Sequence, residues 1–288
     1  MRDFLANGLI RAPRTARILL IPSRVWTAAQ YQRDTVKTVL KWAFTSRETT
    51  NFTYDITKRN KDYLAWFVSA VSGCDKKSAA NYILELEDDS VLRSHLRRSL
   101  QAARFNYKAD AEPQYGRRLG WYALVRLKRP KIVVETGTDK GLGSAVIAAA
   151  LLKNAAEGFP GRLYTIDLNP QAGWLLKDPY SQCAAFINDD SLNYLSTCNH
   201  QIDIFVNDSD HSAEHERAEY EMIDRKLTSD SLVLGDNSHC TTELLEFAER
   251  TNRRFLFFRE EPENHWYPGG GIGVACSSDS GCTRSNAQ

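Results

Sequence analysis

The 288-residue sequence predicts an α/β protein built on a doubly wound, mostly parallel sheet of seven strands whose last strand runs antiparallel, preceded by a helical region. Three observations lead there. From Lys131 onward, short apolar strands alternate with helix-forming stretches, the pattern of βαβ units and right-handed crossovers. That half opens on KIVVETGTDKGLGS, where an apolar run ends at an acid, Glu135, and passes through Gly137, Gly141 and Gly143 into helix formers. So many glycines at a strand-to-helix joint mark a close approach to the backbone. Residues 55–110, by contrast, hold only helical i, i+3, i+4 rhythms.

In chain order, residues 1–50 carry nine Lys/Arg against three Asp/Glu, the one strong charge asymmetry. Within them Val36, Val39, Leu40, Ala43 and Phe44 follow a helical rhythm. This predicts a basic amphipathic helix packed on the main domain or on a partner subunit, with a homodimer through this region as one form. A membrane surface or a targeting signal is the alternative, and Asp3 with no h-region counts against secretion. Asp55 and Ser90 are expected to cap two further helices, with Gly73 ending the first. Strands are expected at 131–135, 162–167, 183–187, 202–207, 231–235, 254–259 and 271–276, and helices at 142–154, 212–227 and 241–251. No good helix separates the last two strands, which predicts a hairpin-like antiparallel finish. The domain reading is an N-terminal helical extension over 1–116, a main domain over 117–276 and a disordered polar tail over 277–288.

Composition excludes several classes. Formal net charge is +1, so no whole-molecule field favours nucleic acid, and no apolar run approaches the ~20 residues that span a bilayer. The six cysteines form no CxxC pair and no zinc spacing, which predicts a reduced, cytoplasmic protein.

The glycine segment narrows the ligand. A dinucleotide fingerprint needs GxGxxG, but Asp139 stands where its second glycine would be, and Glu135 adds another negative charge. Carboxylates repel a pyrophosphate and suit a cationic ligand. Glu135-Thr136-Gly137-Thr138-Asp139-Lys140-Gly141 resembles the acid-x-Gly-x-x-x-Gly motif of the class I S-adenosylmethionine-dependent methyltransferases, which have a Rossmann-like fold. RLYTIDLNP places Asp167 at the end of the next strand, where it can hold ribose hydroxyls or merely cap the Asn169-Pro170 turn. FINDDSLNYL is similar to the family's Gly-Asp-Ser-Leu segment, with Asp189 in place of the glycine. The resemblance implies S-adenosylmethionine as cofactor, held by Glu135, Thr136, Gly137, Gly141, Ser144, Asp167, Asp190, Ser191 and Asp208.

DIFVNDSDHSAEHERAEYEM and the strand ending Gly235-Asp236-Asn237-Ser238-His239 resemble the catechol O-methyltransferase-like branch, which includes bacterial small-molecule O-methyltransferases. The match implies a Mg²⁺ or other divalent-cation site at Asp208, Asp236 and Asn237, hard oxygen ligands of the kind such ions take. His211 stands where that branch has a lysine base, and histidine can serve as a neutral base at physiological pH. Asp208 and His211 are therefore the expected catalytic pair, although Asp210 can be a helix cap and His215 a supporting residue. His239, with His265, Trp266 and Tyr267 before three glycines, is expected to form a substrate wall or an edge hairpin. The implied acceptor is a small molecule, most readily one bearing a hydroxyl. Metal-independent N- or S-methylation, a nicotinamide-dependent oxidoreductase and a non-catalytic binding protein stay open at this point.

Overall fold

The computed structural model describes residues 17–103, 109–110 and 112–277. It divides into two compact units, one formed by residues up to Ser46 with Asn264–Trp266, the other by Arg47–Glu263 and the residues from Tyr267 on.

The first unit is built on helix α1 (Ile21–Thr45), whose Pro22 sits in the first turn, where a missing N–H is harmless. None of its residues is buried, and Val25, Val36, Val39 and Leu40 stand exposed on it. Trp42 meets His265 and Trp266 edge-on, each at a centroid distance of 5.7 Å.

In the second unit a short strand β1 (Asp55–Ile56) precedes helices α2 (Lys58–Ser72), α3 (Lys76–Glu87), α4 (Ser90–Ala102) and α5 (Arg118–Lys128). Two cap expectations shift. Thr57, not Asp55, caps α2 by accepting from the Asn60 N–H, and Asp89, not Ser90, caps α4 by accepting from the Leu92 N–H. In each case the capping oxygen lies three residues before the amide it binds, and the expected residue misses that spacing by two or by one. Gly73 ends α2 in the left-handed conformation, as expected.

The alternating half follows as β2 (Ile132–Thr136), α6 (Leu142–Ala156), β3 (Arg162–Asp167), β4 (Ala184–Asn188), α7 (Ser191–Thr197), β5 (Ile202–Asn207), α8 (Ala213–Ile223), β6 (Leu227–Asp236), α9 (Glu243–Arg250), β7 (Arg253–Arg259), β8 (Pro262–Glu263) and β9 (Gly271–Ser277). The helix expected over 212–227 stops at Ile223, because Leu227 already pairs with Ile202 as β6 begins. Seven strands form one sheet in the order β4-β3-β2-β5-β6-β9-β7, parallel except for β9, which runs antiparallel to both neighbours. β1 and β8 pair separately, Asp55 opposite Glu263. Ser277 ends β9, and the remainder of the expected disordered tail lies outside the described residues.

The central strands read as continuous apolar runs because both faces are covered. Val133, Ile204, Val206, Leu232 and Leu234 face a core shared with α2, α5 and α6, while Val134, Phe205 and Val233 face α8 and α9. Strand order reverses between β2 and β5, so the crevice at their carboxyl ends is where such a sheet binds its ligands. No helix among the described residues is long and apolar enough to cross a membrane.

Candidate active site

The site begins where β2 and β5 end side by side, with Thr136 opposite Asn207 and the Asp208 N–H donating to the Thr136 carbonyl at 2.9 Å. Gly137 has φ +87°, and a Cβ there would stand 1.9 Å from the Asp208 carbonyl oxygen. Glycine is therefore required by the chain's own packing, since any side chain would separate the two strand ends.

Beside this joint lies a cavity of about 480 Å³ lined by Gly137, Asp167, Asp190, Ser191, Asp208 and His215, among others. Six aspartates, at 139, 167, 189, 190, 208 and 210, face it. That concentration of carboxylates repels phosphates and suits a ligand with hydroxyls, amines or a cationic centre. Asp167 accepts from the Asp139 N–H at 2.8 Å through one oxygen and from the Asn169 N–H at 2.8 Å through the other. A carboxylate has about four acceptor positions, so two remain. Asp190 caps α7 through Oδ1, accepting from Leu192 and Asn193.

Beneath the cavity sits Glu219, fully buried. Its carboxylate accepts from Thr136 Oγ1 (2.8 Å), Asn207 Nδ2 (2.6 Å) and Ser209 Oγ (2.9 Å), with His215 Nε2 at 3.0 Å. Burial pushes its pKa up, but the hydrogen bonds from His215, Ser191 and Thr136 outweigh it and hold the group below its ordinary value. Glu219 in turn raises His215. Thr136 thus points into this hub, while Ser144 donates to Glu135, and Gly141 approaches the backbone of Gly173.

Glu135 is buried and accepts from Ser144 and Thr165. Burial pushes it up to about 7, with the two hydroxyls only partly opposing. A Cβ on Gly143 would stand 2.7 Å from its Oε1, so that glycine makes room for the acid. Glu135 also lines a second cavity of about 330 Å³, together with Phe52, Arg117, Arg118, Lys140, Asp208 and Asn237. The two cavities share Gly137, Asp139 and Asp208.

At that junction β6 delivers Asp236 and Asn237. Asp236 is buried, and Arg117 donates to both of its oxygens, Nε to Oδ1 and Nη2 to Oδ2. Arg117 Nη1 donates to Tyr54 Oη and to Glu260 Oε1 (3.3 Å). Burial alone would raise Asp236, but the guanidinium prevails and holds it below the usual carboxylate range. Asp208 goes the other way, raised by burial and by the charge of Asp236. Asn237 donates from Nδ2 to Asp236 (3.0 Å) and accepts the Tyr267 hydroxyl on Oδ1 (3.1 Å).

His211 completes the group. Its Nδ1 lies 3.4 Å from buried Glu216, and its Nε2 lies 3.2 Å from Asn237 Nδ2 and 3.9 Å from Asp208. The Glu216 carboxylate beside Nδ1 raises its pKa above the ordinary histidine value, against the effect of burial. This is a base oriented by a carboxylate behind it, with the other ring nitrogen turned toward the strand ends.

Two of the expected cation ligands, Asp208 and Asp236, come together with His211, their donor atoms within 4.8 Å of one another, and the third, Asn237, reaches Asp236 through its amide nitrogen rather than its oxygen. They do not fit a divalent ion as they stand. Arg117, Asn237 and Asp208 take up the Asp236 carboxylate, and Tyr267 takes the Asn237 oxygen. A divalent ion about 4 Å from the guanidinium would be repelled by about 8 kcal/mol at an effective dielectric of about 20. Among the expected substrate residues, His239 is exposed and Tyr267 joins Asn237, whereas His265 and Trp266 stand with Trp42.

Sequence reading missed Arg117, Glu216, Glu219, Tyr54 and Glu260. Glu216 and Glu219 sit in AEHERAEYEM, a charged stretch in which nothing local marks which acids turn inward. Their inward turn shows only once α8 is laid on the sheet. Arg117 is one of two adjacent arginines before an apolar helix, and nothing local marks it.

Residues 134–238 match a protein-family model described as a methyltransferase domain. No curated protein matches the chain. Similar solved structures include a methyltransferase from Geobacter sulfurreducens at 22% identity, covering 54% of this chain and 75% of that one with a TM-score of 0.41. Another is the O-methyltransferase TomG from Streptomyces achromogenes in complex with SAM, at 16% identity, 64% and 89% coverage and a TM-score of 0.46. The SAH-bound methyltransferase PaMTH1 from Podospora anserina is similar at 12% identity, 77% and 97% coverage and a TM-score of 0.47. The acid–glycine joint and most of the aspartate-lined cleft fall within the segment that matches this methyltransferase-domain model.

Proposed function

We propose that the protein transfers a methyl group from S-adenosylmethionine to a hydroxyl of a small molecule, with His211 as base. The observation that carries this is the Glu216–His211 pair, with His211 Nε2 against Asp208 and Asn237, two residues that line the second cavity. The cofactor supplies an electrophilic methyl on a positively charged sulfur. The free acceptor positions of Asp167 suit ribose hydroxyls, and Asp190 with Ser191 suits the adenine edge. Glu135 and Asp208 face the ammonium, and Arg118 with Lys140, lining the second cavity, suits the carboxylate. The Glu216 carboxylate, 3.4 Å from Nδ1 of His211, favours a proton on that nitrogen, and Nε2, which lies against the Asn237 amide, takes the acceptor's proton when the acceptor oxygen displaces that amide and attacks the methyl carbon. Arginine–carboxylate pairing satisfies Asp236 without a metal, so this reading assigns no ion a role.

Calorimetric titration with S-adenosylmethionine, S-adenosylhomocysteine and NAD⁺ tests the cofactor, and a mass-spectrometric screen of hydroxyl, amine and thiol acceptors tests the transfer. Binding of both adenosyl ligands with NAD⁺ silent, and a methylated hydroxyl product, is the expected result. NAD⁺ binding alone would end the reading, and methylation only of amines or thiols would end the O-methyl assignment.

A further inference from the structure

We propose that Arg117 is a built-in replacement for a divalent cation: it holds the Asp208–Asp236–Asn237 cluster closed to metal and, through it, positions His211. The site itself is that of the proposed methyl transfer, and the inference rests on that reading only for its bearing on acceptor activation.

Three features carry it. The guanidinium is buried and grips Asp236 with two parallel donors, the geometry in which an arginine most completely occupies a carboxylate. It is itself fixed from behind, because Nη1 is shared by Tyr54 and Glu260, and Glu260 is tied down by the Tyr54 hydroxyl (2.8 Å) and the Gly270 N–H (3.0 Å). Releasing Asp236 to a metal would therefore break a network assembled from the segment before β1, the start of α5 and the β7–β9 connection. Finally, the grip is passed on: Asp236 Oδ2 accepts from Asn237 Nδ2, and the same amide lies 3.2 Å from His211 Nε2. The amide orientation follows from its neighbours, since the opposite one would set the Asn237 oxygen against the Asp236 carboxylate.

Arg117 is also placed to act on the acceptor side. It lines the second cavity with Asp208 and Asn237. Of its five N–H groups four are engaged, leaving one on Nη2 with no partner among the described residues. A fixed cation with one spare donor at the meeting of the two cavities performs what a metal would do there, holding an acceptor oxygen and favouring its deprotonated form. It does so without an exchangeable ion.

Mn²⁺ titration of the full chain, followed by electron paramagnetic resonance, tests this without need of an acceptor. The wild type should leave the spectrum of the free aqueous ion unchanged into the millimolar range. Arg117→Met should gain a protein-bound Mn²⁺ signal, at least tenfold tighter than any wild-type binding, and Arg117→Met/Asp236→Asn should lose it. Submillimolar Mn²⁺ binding by the wild type that disappears in Asp236→Asn overturns the proposal, as does a folded Arg117→Met that binds no ion. Should Arg117→Met fail to fold, the wild-type titration with and without Asp236→Asn still decides. The cofactor titration above reports separately on the methyltransferase reading, so failure of one is distinguishable from failure of the other.

Discussion

His211 and Glu135 show how much a single side chain's surroundings decide. Glu216 raises the His211 pKa, and a base works only when deprotonated, so turnover should climb with pH through a value above the ordinary 6.5 of histidine. Glu216→Gln removes the charge that holds the proton, which should move this acid limb to lower pH. His211→Ala should cost about a hundredfold or more in kcat. Measured pH–rate profiles check both, and an unmoved limb in Glu216→Gln would rule His211 out as the base. No sequence pattern paired these two residues, because the carboxylate meets the ring only after α8 turns it toward the sheet.

Among elements, the joint between β2 and α6 is the most constrained. Gly137 combines a positive φ with a carbonyl where a Cβ would go. Gly137→Ala must therefore strain the backbone and push β5 away, and the expected loss is about 2–3 kcal/mol of stability. Chemical denaturation measures it. A neutral effect would mean that the strand ends are not packed as described. The glycines were legible as a close backbone approach. The approaching group at Gly137, however, is the neighbouring strand end, which a one-dimensional pattern cannot distinguish from a ligand. The alternation of strands and helices was legible throughout, since hydrophobic period and length are local properties. The end of α8 was not, because the pairing of Leu227 with Ile202 decides it.

For the whole molecule, the buried acids couple folding to pH. Burial pushes Glu135 up to about 7 in the folded protein from the ordinary 4.5, so between those values the folded state holds the extra proton. Stability then falls as pH rises through that window, by about 3 kcal/mol from this group alone. Glu135→Gln should flatten the decline, and thermal melts between pH 4.5 and 8 test it. A cationic ligand facing Glu135 would ionise it, so cofactor binding near pH 7 should release a proton. The binding enthalpy should then vary with the ionisation enthalpy of the buffer.

The sequence by itself determined the class of fold, the succession of strands and helices along the chain and the positions of the acids at the strands' carboxyl ends. Strand and helix periods, turn residues and motif spacing are written in neighbouring residues. Among the residues it singled out, Asp167, Asp190, Ser191 and Asp208 line one cavity and Glu135 lines the adjoining one, because a doubly wound sheet gathers its strand ends at the switch point. Only the tertiary structure decided what those acids face. Arg117 reaches Asp236 across 119 residues of chain, Tyr54 across 63 and Glu260 across 143. Charge pairing and burial depend on distance through space, and distances of that kind exist only once the chain has folded.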